Sequence, residues 1–522
     1  MAKQKVVLFL PSRVDPSIGD LPAADLMPLE LLHIASPAEA AGYEVVVIDA
    51  MTEPDYASRV VEECSGALAF GSSCILGYQV YDGAVVAEKV RAKYPHLPMF
   101  WGGWFPGSIP ELYLRSGFCD AVCHGQGEIT FVEMLKAAEA AGGRNGDALQ
   151  GRLEEVDGLI LWKDGDVHFT PRRKVVHVDE LPEPSFHLVD LQKYYVLNAK
   201  TANLGSRVRN RLPPPEPYRS GTPFRGLSYF SSFGCPEPCE FCCSPEFAGR
   251  RWVALDPDVL VQRLVDIHEE HPFDLLRFQD ANFGVAEKRM KRFCEALIES
   301  GIGIQWNGTI EIKQICQYSD ETLDLMVKSG CHLTWFGAEA STGETQKLIR
   351  KNIKEGWTDR AMARMHERDV QSGLTYIIGY PGESVESMRE TIHEAAEMKW
   401  KYPSCSSEVF PYRPIPGSGF YQPSIEAGYV PPDTFEGWGR FFDYKFNSWW
   451  GQIPPDIQKL WRRYTVLAPW FDGIAGGKGP VSKLIRKAAG WRLRHNAYGA
   501  PVELKVFDMF RRVAGEKAAR TI

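Results

Sequence analysis

Twice along this chain of 522 residues, short β-branched runs alternate with stretches of helical period. The first series supplies candidate strands at Val6–Leu10, Tyr43–Ile48, Ala67–Gly71, Met99–Gly102 and Asp120–His124, with amphipathic segments between them. Strands separated by helices are joined by crossovers, and crossovers make sheets parallel. Residues 1–145 are therefore expected to form a doubly wound, Rossmann-like α/β domain, whose ligands bind at the carboxyl ends of the strands. Those ends carry Ser72–Ser73, Gly102–Gly103–Trp104 and Gly125–Gln126–Gly127–Glu128.

The second series has strands predicted at Leu227–Ser231, Asp274–Gln279, Gly303–Asn307, His332–Phe336, Leu374–Ile378 and Ser406–Phe410. Six strand–helix units over residues 223–425 fit an open sheet or a partial (β/α)6 barrel. Residues 146–222 read as a connecting segment, with a hairpin near Asp166 and an aperiodic proline- and arginine-rich linker over Arg207–Arg219. From residue 426 onward the character changes, and a mainly helical C-terminal domain is expected. Aromatic residues crowd 435–471, where packing over the barrel mouth is the preferred reading and a pocket for a large apolar substrate the other.

Residues 478–522 carry eleven Lys or Arg against three Asp or Glu, a net +8, so the rest of the chain carries −16. The tail is read as a solvated helical face, with attraction to an anionic lipid surface or an acidic substrate as the functional alternative. The overall charge of −8 gives no argument for a nucleic-acid partner. The apolar run Val6–Leu10 is too short for a signal peptide, and nothing approaches the roughly 18 apolar residues of a transmembrane segment. A cytoplasmic, reducing setting is expected, in which cysteines serve as metal ligands, nucleophiles or apolar filler.

Of twelve cysteines, Cys235, Cys239 and Cys242 form C-x-x-x-C-x-x-C in the segment SSFGCPEPCEFCCSP, just after the first strand of the second series. Prolines and glycine make this a turn-rich loop able to wrap three thiolates around one centre, and a poor place for inert thiols. A structural zinc site wants four ligands, usually as two separated pairs, and no second pair has suitable spacing. Ferredoxin runs use other spacings and four cysteines per cluster. Three thiolates leave one metal corner open.

This motif, on this loop of a six-unit β/α series, resembles the radical S-adenosylmethionine (SAM) superfamily. The resemblance implies a 4Fe–4S cluster on Cys235, Cys239 and Cys242, with SAM completing the fourth iron. It implies SAM contacts from Phe241, from Asp280 in Phe278–Phe283, from Asn307 after Trp306, from Glu339 in Phe336–Ser341, and from Ile378, Gly379 and Pro381 in Ile377–Glu383. Cys243 is read as a non-ligand.

The N-terminal series lacks both G-x-G-x-x-G and a Walker A lysine. Its order of motifs, ending in Asp120–Glu128, resembles the cobalamin-binding domain that precedes the radical SAM barrel in a large subfamily, which includes the anaerobic magnesium-protoporphyrin ester cyclases. Ser72, Ser73, Gly102, Gly103, Trp104, Gly125, Gly127 and Glu128 are the implied cobalamin contacts. Two departures stand out: Gly102–Gly103–Trp104–Phe105 replaces Gly-Gly-Pro-His, and Gly125–Gln126–Gly127–Glu128 replaces Gly-Glu-Gly-Glu. D-x-H-x-x-G is absent, so cobalt is expected to lack a protein histidine as its lower ligand, and His33 and His124 are read as structural.

The resemblance implies a methyltransferase in which one SAM methylates the cobalamin and a second yields the 5′-deoxyadenosyl radical. That radical abstracts a hydrogen from an unactivated carbon of a small-molecule substrate, which then takes the methyl group. No residue is assigned a catalytic role beyond cofactor binding. An electron donor such as flavodoxin or ferredoxin is implied. The alternatives are an oxidative cyclase or ring-rearranging enzyme, and, in another class, a cobalamin-binding sensor or carrier with a degenerate barrel.

Overall fold

The computed structural model describes residues 3–15, 27–195, 225–442, 453–472 and 479–499, with Val502 and Lys505. Its first sheet is built from β1 (Lys5–Leu10), β2 (Glu44–Asp49), β3 (Ala69–Ser73), β4 (Met99–Gly102), β5 (Ala121–Cys123), β6 (Leu159–Lys163) and β7 (Asp166–Phe169). The spatial order is β2-β1-β3-β4-β5-β6-β7. β1 to β5 pair in parallel, as expected for strands joined by helices. Helices cover both faces, so Val6–Leu10 is an unbroken apolar run with no exposed member.

The expectation of a parallel sheet ending before residue 145 is corrected at one edge. The connecting segment supplies β6 and β7, which run antiparallel and extend the sheet to Phe169. They are joined at Asp164 and Gly165, both with positive φ, the Asp-Gly turn that matches hairpin twist. The Arg207–Arg219 run lies outside the described residues.

The second sheet contains β8 (Gly226–Tyr229), β11 (Leu275–Phe278), β12 (Gln305–Thr309), β13 (Cys331–Glu339), β14 (Gln371–Ile378) and β15 (Cys405–Pro411). All five pairings are parallel, in the order β15-β14-β13-β12-β11-β8. Among the described residues the sheet is open, a partial barrel. β12 starts two residues later than predicted because Gly301 and Gly303 hold positive φ and still belong to the turn. β13 runs on to Glu339, past its predicted end. Between β8 and β11, β9 (Ser232–Gly234) and β10 (Trp252–Ala254) make a small antiparallel ribbon, and the cysteine loop is the excursion between them.

One buried apolar core contains members of both sheets, from Val6 and Leu8 to Leu227 and Tyr376. The other face of the first sheet packs on the Tyr78–Lys93 helix and on Trp438 and Phe441. This corrects the expected placing of the aromatic segment over the barrel mouth. Trp438 meets Phe105 at 5.0 Å and Phe435 meets Tyr113 at 5.2 Å, both on the first domain. Trp461 and Tyr464, on the Pro455–Asp472 helix, bond instead to carbonyls of Val409 and Ser407 on β15. Tyr444, Phe446, Trp449 and Trp450 lie outside the described residues. The C-terminal region is helical where described, at Pro455–Asp472 and Pro480–Arg494.

Candidate active site

The carboxyl rims of the two sheets meet around two adjoining cavities. The first, about 390 Å³, takes Ser72 and Ser73 from β3, Gly102 and Gly103 from the end of β4, and Gly125, Gly127 and Glu128 from the turn after β5. The second sheet closes it with Tyr229, Phe230, Ser232 and Phe233. Gly103 has φ +88°, and a Cβ there would stand 2.6 Å from Ser73 Oγ and 2.8 Å from the Cys74 carbonyl. Only glycine keeps this floor open without strain. Trp104 does not line the cavity. It begins the Trp104–Ser108 helix, and its ring packs beside Phe105.

His33, on the Leu29–Ala40 helix, does line this cavity, 5.9 Å from the Phe230 ring. Burial, and then the nearby Arg263 charge, push its pKa down to about 4, so the ring is neutral at physiological pH. His124 does not line it. Glu128 is also held toward its neutral form by burial. The walls are otherwise aromatic and apolar, with Phe100, Phe131 and Phe247 among them.

The second cavity, about 410 Å³, gathers Cys235, Cys239, Cys242, Phe241, Asp280, Asn307 and Glu339. Ser244, Gln279 and Ala281 line both cavities, so the two are neighbours across one wall. Gly234 fixes where the cysteine loop begins. Its φ is +82°, and a Cβ would meet the Arg251 carbonyl at 2.2 Å, so β9 and β10 can pair only with glycine there. Burial pushes the Cys235 thiol up to about 11 and the Cys239 thiol higher. Cys242 is lowered by the hydrogen bond it accepts from Cys243.

Asp280 is fully buried, and its oxygens face the start of this loop. It accepts from the Ser231 amide at 3.0 Å, the Ser231 hydroxyl at 2.8 Å and the Ser232 hydroxyl. Arg289 adds a bond to the Ser231 hydroxyl at 3.0 Å. This carboxylate thus ties the end of β11 to the strand that delivers Cys235.

Two groups in the second cavity carry no sequence motif. Lys351, 5% exposed, places its ammonium 2.8 Å from Glu311 Oε1 and 3.8 Å from Glu339 Oε1. Burial opposes its charge, but the two carboxylates outweigh it and hold the lysine protonated. Burial raises Glu339 to about 7 against the pull of Lys351. Glu339 also has φ +63°, a strained conformation for a residue other than glycine, of the sort that concentrates at functional sites. Ile378, Gly379 and Pro381 do not line this cavity. Gly379 lies against Ile453, while its neighbour Tyr380 meets the Phe241 ring at 5.6 Å.

Comparison with known families decides what these rims belong to. Residues 229–395 match the radical SAM superfamily and residues 18–135 match the B12 binding domain. The chain is a B12-binding radical SAM protein. It is 24% identical to an uncharacterized methyltransferase of Pyrococcus horikoshii, over 94% of this chain and 92% of that protein. It is 25% identical to the cytidylyl-2-hydroxyethylphosphonate methyltransferase of Streptomyces wedmorensis, covering 82% and 83%. It is 26% identical to the anaerobic magnesium-protoporphyrin IX monomethyl ester cyclase of a Synechocystis species, covering 70% and 67%. Its fold matches the cobalamin-dependent SAM radical enzyme OxsB, solved with aqua-cobalamin and SAM, with a TM-score of 0.68 and 14% identity, over 98% of this chain and 76% of that one.

A B12-binding radical SAM protein uses a 4Fe–4S cluster, SAM and cobalamin, and the residues present fit all three. Three thiols share one loop, and no fourth cysteine accompanies them in the second cavity. Among the described residues, no three His, Cys, Asp or Glu converge as ligands of a single ion. A cluster instead spreads its thiolates over separate irons. The glycine-floored first cavity suits a large planar ligand. No helix among the described residues is long and apolar enough to cross a membrane.

Proposed function

We propose that this B12-binding radical SAM protein is a methyltransferase acting on an unactivated carbon of a small molecule with an apolar or aromatic body. The observation that carries this reading is the shared wall of Ser244, Gln279 and Ala281, which sets the thiol-lined cavity beside the glycine-floored one. A substrate at that wall reaches both. When bound, the cluster and SAM supply hydrogen abstraction and cobalamin supplies the methyl group.

The chain's own residues hold, orient and exclude. Cys235, Cys239 and Cys242 are the cluster ligands in this reading. Lys351, Glu311 and Glu339 offer one cation and two carboxylates, which match the carboxylate and ammonium of the SAM amino-acid head. Asn307 and Phe241 stand on the same wall. On the other side, Ser72, Ser73, Gly102, Gly103, Gly125, Gly127 and Glu128 cradle the corrin. His33 is neutral, so it places no positive charge beside it. Phe230, Phe233 and Phe247 keep the junction apolar and shield a radical from water. A small reductase such as flavodoxin or ferredoxin completes the system.

The test is anaerobic reconstitution with iron, sulfide, cobalamin and SAM, followed by comparison of metabolites with a strain lacking the protein. The expected product is heavier than its precursor by one methylene. The similarity to a cyclase favours a second reading, ring closure, and a product lighter by hydrogens would select it. Absence of SAM cleavage by the reconstituted protein would revive a sensor or carrier.

A further inference from the structure

The Pro480–Arg494 helix has two apolar faces. One carries Ser482, Ile485, Ala489 and Leu493, buried against the Pro455–Asp472 and Val385–Lys401 helices. The other carries Val481, Leu484 and Trp491, which are 55%, 69% and 59% exposed. With Ala488 they fall within an arc of about 80° at 3.6 residues per turn. Lys483 and Lys487 occupy the adjoining arc and are exposed; Arg494 shares that arc, with its guanidinium 4.9 Å over the Trp400 ring of the Val385–Lys401 helix. Arg486 and Arg492 complete five cations in a helix with no Asp or Glu. Packing among the described residues explains the first face and leaves the second unexplained. Leucine and tryptophan at more than half exposure cost solvation free energy that a solvated helical face avoids by placing polar residues there.

We propose that this face docks on an anionic lipid surface. A bilayer boundary offers both things the helix presents a match for: an apolar layer for Val481, Leu484 and Trp491, and negative headgroups for the neighbouring Lys483 and Lys487. Tryptophan is the aromatic side chain best suited to that boundary. A nucleic acid would satisfy the cations but offers the apolar arc no groove along the helix, and an acidic protein surface would satisfy them without burying it. The helix lies along the surface rather than through it, in keeping with the absence of a spanning helix among the described residues. Docking there would hold a sparingly soluble, apolar substrate near the enzyme. That consequence depends on the proposed function, whereas the docking itself does not.

The experiment is co-sedimentation of the full chain, reconstituted anaerobically, with two vesicle preparations: phosphatidylcholine alone, and phosphatidylcholine mixed with phosphatidylglycerol. The expected result is binding to the anionic vesicles only, weakened at high salt. L484E/W491E should lose more than about tenfold in partitioning, since the side chains that enter the apolar layer are gone. K483E/K487E should lose the preference for anionic lipid. Both variants replace exposed side chains, and their iron content reports that the fold survives. The proposal is overturned if the wild type stays in solution with both vesicles, or if L484E/W491E binds as well as the wild type. It is equally overturned if the substitution instead abolishes a concentration-dependent dimer, which would assign the face to a second copy, or if duplex DNA displaces the protein from vesicles through the apolar arc's own residues.

Discussion

Asp280 accepts a hydrogen bond from the backbone amide of Ser231 at 3.0 Å, so a carboxylate on one strand's exit fixes the path of another strand into the cysteine loop. Among the described residues, every donor it meets comes from Ser231 or Ser232. D280A leaves a buried amide and two hydroxyls short of an acceptor, at a cost of roughly 1–3 kcal/mol for each group left unpaired. The expected result is a loop that no longer presents Cys235 correctly, with less iron and sulfide per chain after reconstitution. D280N, which keeps one acceptor oxygen, should fall between. Iron content equal to wild type in D280A would reduce this network to a bystander.

Lys351 neutralises two buried carboxylates, and removing it strands both. Loss of one partner from a buried ion pair costs about 3–5 kcal/mol. K351M should therefore lower the urea midpoint and weaken SAM binding measured by equilibrium dialysis. K351M/E311Q should recover stability but not SAM affinity, because the Glu311 partner is gone while the cation is still missing. Recovery of both would make the triad a purely structural device.

Cys235, Cys239 and Cys242 should each be indispensable for iron, and Cys243 should not. C235A, C239A and C242A are expected to lose the visible absorption of the reconstituted cluster and all SAM cleavage. C243A should keep both, since Cys243 is a hydrogen-bond partner of Cys242 and does not line the thiol-lined cavity. A cluster that survives any of the first three substitutions would contradict the assignment.

Gly103 sets the floor of the other cavity. Its φ of +88° and the 2.6 Å approach to Ser73 Oγ leave no place for a methyl group. Strain at such a position is of order 1–3 kcal/mol. G103A should retain less cobalamin per chain by its corrin absorption, while iron content stays at wild-type level. Equal loss of both would mean global misfolding instead.

The cysteine loop was readable because its chemistry is local: three thiols within eight residues, framed by turn formers. The glycine-rich strand ends were readable for the same reason, since a parallel sheet puts every such end on one rim. Lys351 was not. It follows the Gly343–Leu348 helix in a run that looks like solvated charge, and only tertiary packing places it between Glu311 and Glu339. Trp104 misled in the opposite direction. Its position after Gly102–Gly103 put it beside the cavity in sequence, but the next helix carries its ring away toward Phe105. His33 stands near the rim in sequence and reads as structural; that its ring lines the cavity depends on Phe230, at a strand end almost two hundred residues distant. The β6–β7 hairpin was visible as a turn, yet nothing local says that its strands add to the first sheet.

Glu394, remote from both cavities, gives the pH dependence of stability a specific source. Burial raises its pKa to about 7, against the hydrogen bond it accepts from Tyr376 at 3.1 Å. The folded chain therefore holds this proton more tightly than the unfolded chain, whose glutamate titrates near the ordinary value of 4.5. Below that value both states are protonated and the group contributes nothing to the slope. As pH rises from about 4.5 to about 7 the unfolded state sheds its proton first, and stability falls. Above about 7 the loss is complete. E394Q keeps an acceptor for Tyr376 and has nothing to titrate, so its advantage over the wild type should grow from pH 5 to pH 8 and then level off. Urea midpoints of both proteins, measured anaerobically across that range, supply the check. A difference that does not change with pH would show that Glu394 is already ionised in the folded protein at pH 5.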